Sequence, residues 1–196
     1  MSNGLAVGMI HVAGDPTSNY YKKIVSQSWL NAGHNVMHFN GITPDTFDQA
    51  PMVLNFGKKK NGRNIGKNLT PTEKAIWYSH IMMWDMASKK SGPLIVIEHD
   101  VLMLKPYVHS TEYPIVGLCH CGLLSKKPER GYRISAGGAY LITAGIAKQM
   151  IRELPETINY NSDAYIHNYI TKYGTFKHEH STQLYLPEIG STIDHG

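Results

Sequence analysis

The chain has 196 residues, of which 42% are hydrophobic and 17% are charged, and its formal net charge is +4. This composition excludes an intrinsically disordered chain. The longest aliphatic run, Leu94–Ile97, is far shorter than the roughly 20 residues of a membrane span. A mildly basic charge permits a polyanionic partner without requiring one. We therefore expect one folded domain over residues 1–196.

The N-terminal part of the chain follows a strand–helix–strand rhythm. The apolar run Leu5–Val12 ends at a Gly-Asp-Pro turn and predicts a buried strand. A helix is predicted over Ser18–Ala32, with Gly33 as its stop, and a second short strand over Val36–Phe39. This alternation predicts a parallel α/β sheet.

A basic, Gly/Asn-rich loop, residues 57–68, precedes the clearest helix start in the sequence. Thr70 is placed to cap the helix, Pro71 suits the first helical position, and Glu73 completes a capping box. Apolar residues cover more than half of the circumference of this helix, so a buried helix ending near Lys90 is predicted.

Later elements give weaker signals. After the strand Leu94–Ile97, two strands and two helices are predicted: Ile115–Cys119, Ala139–Thr143, Ala144–Leu154 and Asp163–Tyr173. The tail, residues 184–196, is predicted to be irregular.

Two carboxylates follow the most apolar strand directly. The two-residue period of a strand places Glu98 and Asp100 on one face, at the carboxyl end where open α/β sheets bind ligands. Carboxylate oxygens are hard ligands that suit Mg²⁺ or Mn²⁺ carrying a diphosphate. The alternative interpretation is that acidic residues mark the place where a buried strand meets water. His99, between them, is expected to point away.

An ordered series of motifs around these carboxylates resembles glycosyltransferase family 25, the lipopolysaccharide-biosynthesis type. The series runs through Leu69–Glu73, Ser79-His80, Trp84, Ile95–Val101 and Gly138–Thr143. With Asp163 and the C-terminal stretches Leu186-Pro187 and Ser191–Ile193, the resemblance covers about residues 65–195.

The chain departs from the family pattern at three places. The central acidic motif reads Glu-His-Asp, Thr72 stands where the family has glycine, and His11–Gly14 replaces the family's N-terminal pattern.

The resemblance implies a single-domain GT-A-like fold, which is Rossmann-like, with a mostly parallel sheet flanked by helices. It also implies metal-dependent, inverting transfer of a sugar from a nucleotide sugar, with a UDP-sugar as the expected donor. Asp100 would bind Mn²⁺ or Mg²⁺, and Glu98 would help to seat the metal or the hydroxyls of the donor. Inversion requires a carboxylate that takes the proton of the acceptor hydroxyl. Asp163 is the candidate base, although Asn161-Ser162-Asp163 is also a good helix-capping cluster.

Three further residues enter the predicted site. His80 matches the Ser-His pair of the family and is expected below the donor. Gly138 would allow the backbone to approach donor or acceptor closely, or would simply form a turn. His195 would complete the metal shell, unless the chain end is disordered.

The acceptor is either a glycan of the lipopolysaccharide type or a hydroxymethylated base in phage DNA. The main clue is the cations of the basic loop, which contact an anionic acceptor or lie on a solvated, mobile loop: Lys58, Lys59, Lys60, Arg63 and Lys67. Two alternative functions are a non-catalytic domain that binds nucleotide sugar or nucleic acid, and a metal-dependent phosphohydrolase. A lone close cysteine pair and the lack of a secretory signal predict the cytoplasm of a bacterium or of a phage-infected host.

Overall fold

The computed structural model describes residues 5–60, 65–103, 107, 112–120, 137–176 and 182–184. The four helices of these residues are α1 (Pro16–Asn31), α2 (Pro71–Ser88), α3 (Ala144–Arg152) and α4 (Ser162–Tyr173), and a short 3-10 helix spans Pro44–Gln49. The strands are β1 (Ala6–His11), β2 (Asn35–Asn40), β3 (Leu94–Glu98), β4 (Val101–Met103), β5 (Ile115–Gly117), β6 (Cys119–His120), β7 (Ala139–Ile142), β8 (Thr175–Phe176) and β9 (Thr182–Leu184).

The main sheet confirms the predicted α/β class. Within the described part of the chain it has six strands in the order β2-β1-β3-β7-β5-β8. Three of its five pairings are parallel, and β7 is antiparallel to both of its neighbours. A smaller sheet of β4, β9 and β6 lies beside it. The predicted mostly parallel sheet is therefore confirmed, with β7 as its antiparallel strand.

Both faces of β3 are buried, as its uninterrupted apolar run predicts. Leu94 and Val96 belong to the core shared with α2, α3 and α4, whereas Ile95 and Ile97 belong to the core shared with α1. This division follows from the alternation of side chains along a strand. Each of these fully buried side chains stabilises the fold by roughly 1.5–3 kcal/mol.

Helix α2 begins where the sequence predicts, and its start anchors the basic loop. Thr70 Oγ1 accepts a hydrogen bond from the Glu73 N–H, and Glu73 Oε2 accepts one from the Thr70 N–H. The other Glu73 oxygen lies 2.6 Å from Lys59 Nζ. Backbone hydrogen bonds between Lys59 and both Lys67 and Gly66 close the base of the loop as a hairpin. Gly66 has a φ of +84°, which favours glycine.

No helix of the described ranges is long and apolar enough to cross a lipid bilayer.

Candidate functional site

A cavity of about 580 Å³ lies at the carboxyl edge of β1, β2 and β3. The loops that follow β1 and β2, the turn after β3 and the N-terminal half of α2 form its walls. This is the edge at which open α/β sheets bind ligands, because side chains from adjacent parallel strands converge there.

Glu98 and Asp100 both line this cavity. Glu98 is the last residue of β3 and its side chain is 18% exposed, whereas Asp100 lies in the following turn and is 5% exposed. Burial, together with the nearby charge of Asp100, raises the pKa of Glu98 to about 7. The two carboxylates therefore repel each other in a site with little water, and a bound cation would relieve that repulsion.

The cavity is rich in acidic groups and lacks permanent positive charge. The described residues that line it include four carboxylates and three imidazoles but no lysine or arginine: Asp15, Asp45, Glu98, Asp100, His11, His80 and His99. An anionic ligand would need an accompanying cation to bind among these carboxylates.

The described residues contain no group of three or more His, Cys, Asp or Glu side chains arranged to hold a metal ion. The chemistry of Glu98 and Asp100 nevertheless fits Mg²⁺ or Mn²⁺. Mg²⁺ sites commonly use one or two carboxylates, with substrate phosphates and water as the remaining ligands. The cation would therefore bind together with its phosphate ligand.

His80 lies at the cavity and is completely buried. Its Nδ1 is 3.0 Å from the hydroxyl oxygen of Tyr140, and its Nε2 is 3.6 Å from Glu98 Oε1. Burial lowers the pKa of His80 to about 4, against a smaller opposing effect of Asp163. His80 is therefore neutral at physiological pH. The sequence prediction placed it below the donor site, and the structure places it next to Glu98.

Asp163 lies in the first turn of α4 but does not cap that helix. Asn161 is the N-cap, and its side-chain oxygen accepts a hydrogen bond from the Ala164 N–H at 3.1 Å. Asp163 Oδ1 accepts one from the Gly137 N–H at 3.1 Å. Asp163 is not among the residues that line the cavity, and its role as a base stays a prediction.

Gly137 lies between Asp163 and His80. A Cβ atom added there would clash with Asp163 Oδ1 and would lie 3.4 Å from His80 Nε2. The backbone can therefore approach both side chains only because position 137 carries no side chain.

The structure does not place the two remaining predicted residues, Gly138 and His195, at the cavity. Gly138 is buried outside the cavity lining, and its carbonyl accepts a hydrogen bond from the Glu98 N–H at 3.0 Å. Its backbone thus supports β3, and its predicted contact with donor or acceptor stays a prediction. His195 lies outside the described residues.

His99 also lines the cavity, and the expectation that its ring points away from the two carboxylates stays a prediction. β3 ends at Glu98, and residues 99–100 form a turn, so the alternation of a strand no longer applies. The His99 ring lies 6.5 Å from the ring of Tyr21 on α1.

His11 was missed from the sequence. It ends β1, lines the cavity and is 5% exposed. Burial and the neighbouring cationic groups of Lys22, His38 and His99 lower its pKa to about 4. The sequence did contain a signal for His11. It ends a strand that is parallel to β3, and the ends of parallel strands lie at the same edge of the sheet as Glu98.

The buried histidines and Glu98 affect stability with opposite signs. His80 and His11 have pKa values lowered from 6.5 to about 4, so the unfolded chain binds these protons first and acidification through this window destabilises the fold. The pKa of Glu98 is raised from 4.5 to about 7, so acidification from about pH 7 to 4.5 stabilises the fold.

Replacing the Glu98 carboxyl should therefore leave the histidines to determine how the free energy of unfolding changes with pH. In Glu98→Gln, the free energy of unfolding is expected to fall by up to about 3 kcal/mol per buried histidine between pH 6.5 and 4. The wild type should lose less over the same range. Urea denaturation at a series of pH values measures both, and a flat profile for Glu98→Gln would contradict the expectation.

A comparison with protein-family models matches part of the chain. Residues 17–113 match the family model described as "Glycosyltransferase family 25 (LPS biosynthesis protein)". Among solved structures, the chain is similar to the apo-form glycosyltransferase GlyE of Streptococcus pneumoniae TIGR4, with 15% sequence identity and a TM-score of 0.44. That similarity covers 90% of this chain and 46% of the GlyE chain, so this chain spans less than half of the length of GlyE. No curated protein matches the chain.

Proposed function

The chain belongs to glycosyltransferase family 25, and from this we propose that it transfers a sugar from a nucleotide-sugar donor to an acceptor hydroxyl, by GT-A-type chemistry. The observation that carries the proposal is the acidic cavity at the carboxyl edge of β1, β2 and β3, which both Glu98 and Asp100 line. Its volume of about 580 Å³ is in the usual range for a small-molecule site. The expected donor is a UDP-sugar.

A nucleotide-sugar donor would bring negative charge into a cavity whose described lining has no lysine or arginine to neutralise it. Its diphosphate is anionic, and the described lining offers carboxylates and neutral imidazoles. We propose that Asp100, with Glu98 beside it, binds Mn²⁺ or Mg²⁺ together with the diphosphate. The bound metal would neutralise the negative charge that develops on the leaving phosphate oxygen.

Transfer with inversion needs a carboxylate on the side of the sugar from which the acceptor attacks. The acceptor oxygen bonds to the anomeric carbon as the bond to the diphosphate oxygen breaks, and the hydroxyl proton passes to the carboxylate. Asp163 is the proposed base, and Glu98 is the second candidate, in the case that the metal binds to Asp100 alone.

The basic hairpin is the proposed contact for an anionic acceptor. Lys59 is paired with Glu73, but Lys58, Lys60 and Lys67 are exposed. The hairpin is joined through Glu73 to the start of α2, where Thr72 lines the cavity. Lipopolysaccharide core and DNA containing hydroxymethylated bases both carry the phosphates that these lysines would bind.

Neutralising the hairpin should weaken acceptor binding without changing the donor site. The triple variant Lys58→Gln, Lys60→Gln and Lys67→Gln is expected to raise the KM for the acceptor several-fold. It should also reduce the salt dependence of binding by a log–log slope of up to about 3. The matched control carries the same charge change at three exposed lysines elsewhere: Lys23, Lys148 and Lys172. Equal acceptor binding by the two triple variants would contradict the role of the hairpin.

The proposed function is tested by a thermal-shift screen of UDP-, GDP- and CMP-sugars, with and without Mn²⁺, followed by transfer assays. A donor at 100 times its Kd stabilises the folded state by about 2.7 kcal/mol. We expect a UDP-sugar to stabilise the protein only with Mn²⁺, and then to be consumed when acceptor is added. Binding without turnover would favour the non-catalytic domain, and phosphate release without acceptor would favour the phosphohydrolase. No stabilisation by any nucleotide sugar would contradict the proposal.

A further inference from the structure

A buried chain of polar contacts lies behind Glu98. The indole N–H of Trp84 donates a hydrogen bond of 2.8 Å to the hydroxyl oxygen of Tyr140, and that oxygen lies 3.0 Å from His80 Nδ1. All three side chains are fully buried. His80 and Trp84 are one turn apart on α2, and Tyr140 lies on β7, the strand paired with β3.

The directions of these hydrogen bonds determine the tautomer of His80. An indole N–H can only donate, so the Tyr140 oxygen accepts from Trp84 and the phenol proton is available for donation. His80 Nδ1 is the other partner that the described structure gives this hydroxyl, so Nδ1 accepts and the ring proton lies on Nε2. A proton on Nδ1 would leave the buried phenol proton without an acceptor, at substantial cost.

The protonated nitrogen then faces Glu98. Nε2 lies 3.6 Å from Glu98 Oε1. This distance exceeds that of a hydrogen bond. The N–H dipole nevertheless attracts the carboxylate, and the attraction is strong because the surroundings exclude water. Because Nδ1 accepts a hydrogen bond, the ring carries a single proton and adds no net charge to the site.

We infer that His80 is a positioning residue for Glu98, and that the Tyr140–Trp84 pair fixes its Nε2–H toward the carboxylate. One Glu98 oxygen is thereby held at the floor of the cavity, and the other is left for the donor and its metal. A neutral donor offsets the repulsion between Glu98 and Asp100 without neutralising either charge, as an imidazolium would. The catalytic consequence rests on the proposed function, whereas the tautomer and the position of Glu98 do not.

The tautomer is tested by NMR of protein labelled with ¹⁵N-histidine, in which long-range ¹H–¹⁵N correlations show which ring nitrogen is protonated. His80→Gln identifies the His80 signals by their loss. The wild type is expected to carry the proton on Nε2, and Tyr140→Phe is expected to give a mixture of tautomers. The control Tyr169→Phe, which removes another buried hydroxyl, should not change the His80 signals. A wild-type ring protonated on Nδ1, or on both nitrogens at neutral pH, would overturn the inference.

The positioning role is tested by a matched pair of His80 variants. His80→Gln retains an N–H donor near the place of Nε2, and His80→Asn retains an acceptor near the place of Nδ1. We expect kcat of His80→Asn to fall about tenfold below that of His80→Gln, with similar donor KM values. Equal kcat values in an active enzyme would overturn the role.

A crystal structure of Tyr140→Phe gives a readout independent of activity. The Glu98 carboxylate is expected to turn away from His80, and an unmoved carboxylate would overturn the inference. If the wild type transfers no sugar, the proposed function fails, and the tautomer and the Glu98 position then decide the inference alone.

Discussion

Replacing Asp100 by asparagine is expected to lower kcat for sugar transfer by about a thousandfold, equivalent to about 4 kcal/mol of lost transition-state stabilisation. The amide keeps the shape of the side chain but removes a charge from the proposed cation site. The fold should be retained, because Asp100 repels Glu98 and its charge opposes the ionisation of that neighbour. Steady-state kinetics with varied Mn²⁺ measure the loss, and the apparent Mn²⁺ affinity should fall with kcat.

Asp85→Asn is the matched control for Asp100→Asn. Asp85 is 46% exposed, pairs with Lys89 at the C-cap of α2, and is not among the residues that line the cavity. Its loss should leave kcat unchanged. In Asp100→Asn, the pKa of Glu98 should also fall toward its usual value, which ¹³C NMR of the carboxyl measures. Full activity of Asp100→Asn would contradict the metal-binding role.

Asp163→Asn is expected to lower kcat by about a hundredfold to ten-thousandfold with little change in donor KM, because an amide cannot take up the acceptor proton. The asparagine oxygen can still accept the hydrogen bond from Gly137, so the local structure should be retained. Kinetics at saturating donor measure this loss.

Asn161→Ala separates the catalytic role from helix capping. Asn161 is the residue whose side chain caps α4, so its loss should cost about 1 kcal/mol of stability and leave kcat unchanged. If Asp163→Asn instead loses only stability and retains more than about a tenth of kcat, Asp163 is not the base and Glu98 becomes the candidate.

Local sequence signals predicted the parts of the fold that depend on neighbouring residues. The capping box at Thr70 and Glu73 gave the start of α2, because both partners lie within one turn. The apolar run of β3 predicted a strand buried on both faces, and the carboxylates directly after it gave two cavity residues. In each case, the residues that form the pattern lie within a few positions of one another in the sequence.

Contacts between distant segments could not be predicted in this way. Tyr140 lies 60 residues from His80 and 56 from Trp84, and no local pattern encodes their hydrogen bonds. The antiparallel direction of β7 depends on how the chain returns to β3, which strand propensity does not specify.

The central claim is that Asp100 and Glu98 hold a divalent cation together with the donor diphosphate. Anomalous diffraction from crystals soaked with Mn²⁺ and a UDP-sugar tests it most directly. The predicted result is a manganese peak within coordination distance of an Asp100 carboxylate oxygen and of a diphosphate oxygen, at the carboxyl edge of β3. A nucleotide sugar bound in the cavity with no manganese beside Asp100, or manganese bound only elsewhere, would contradict the claim.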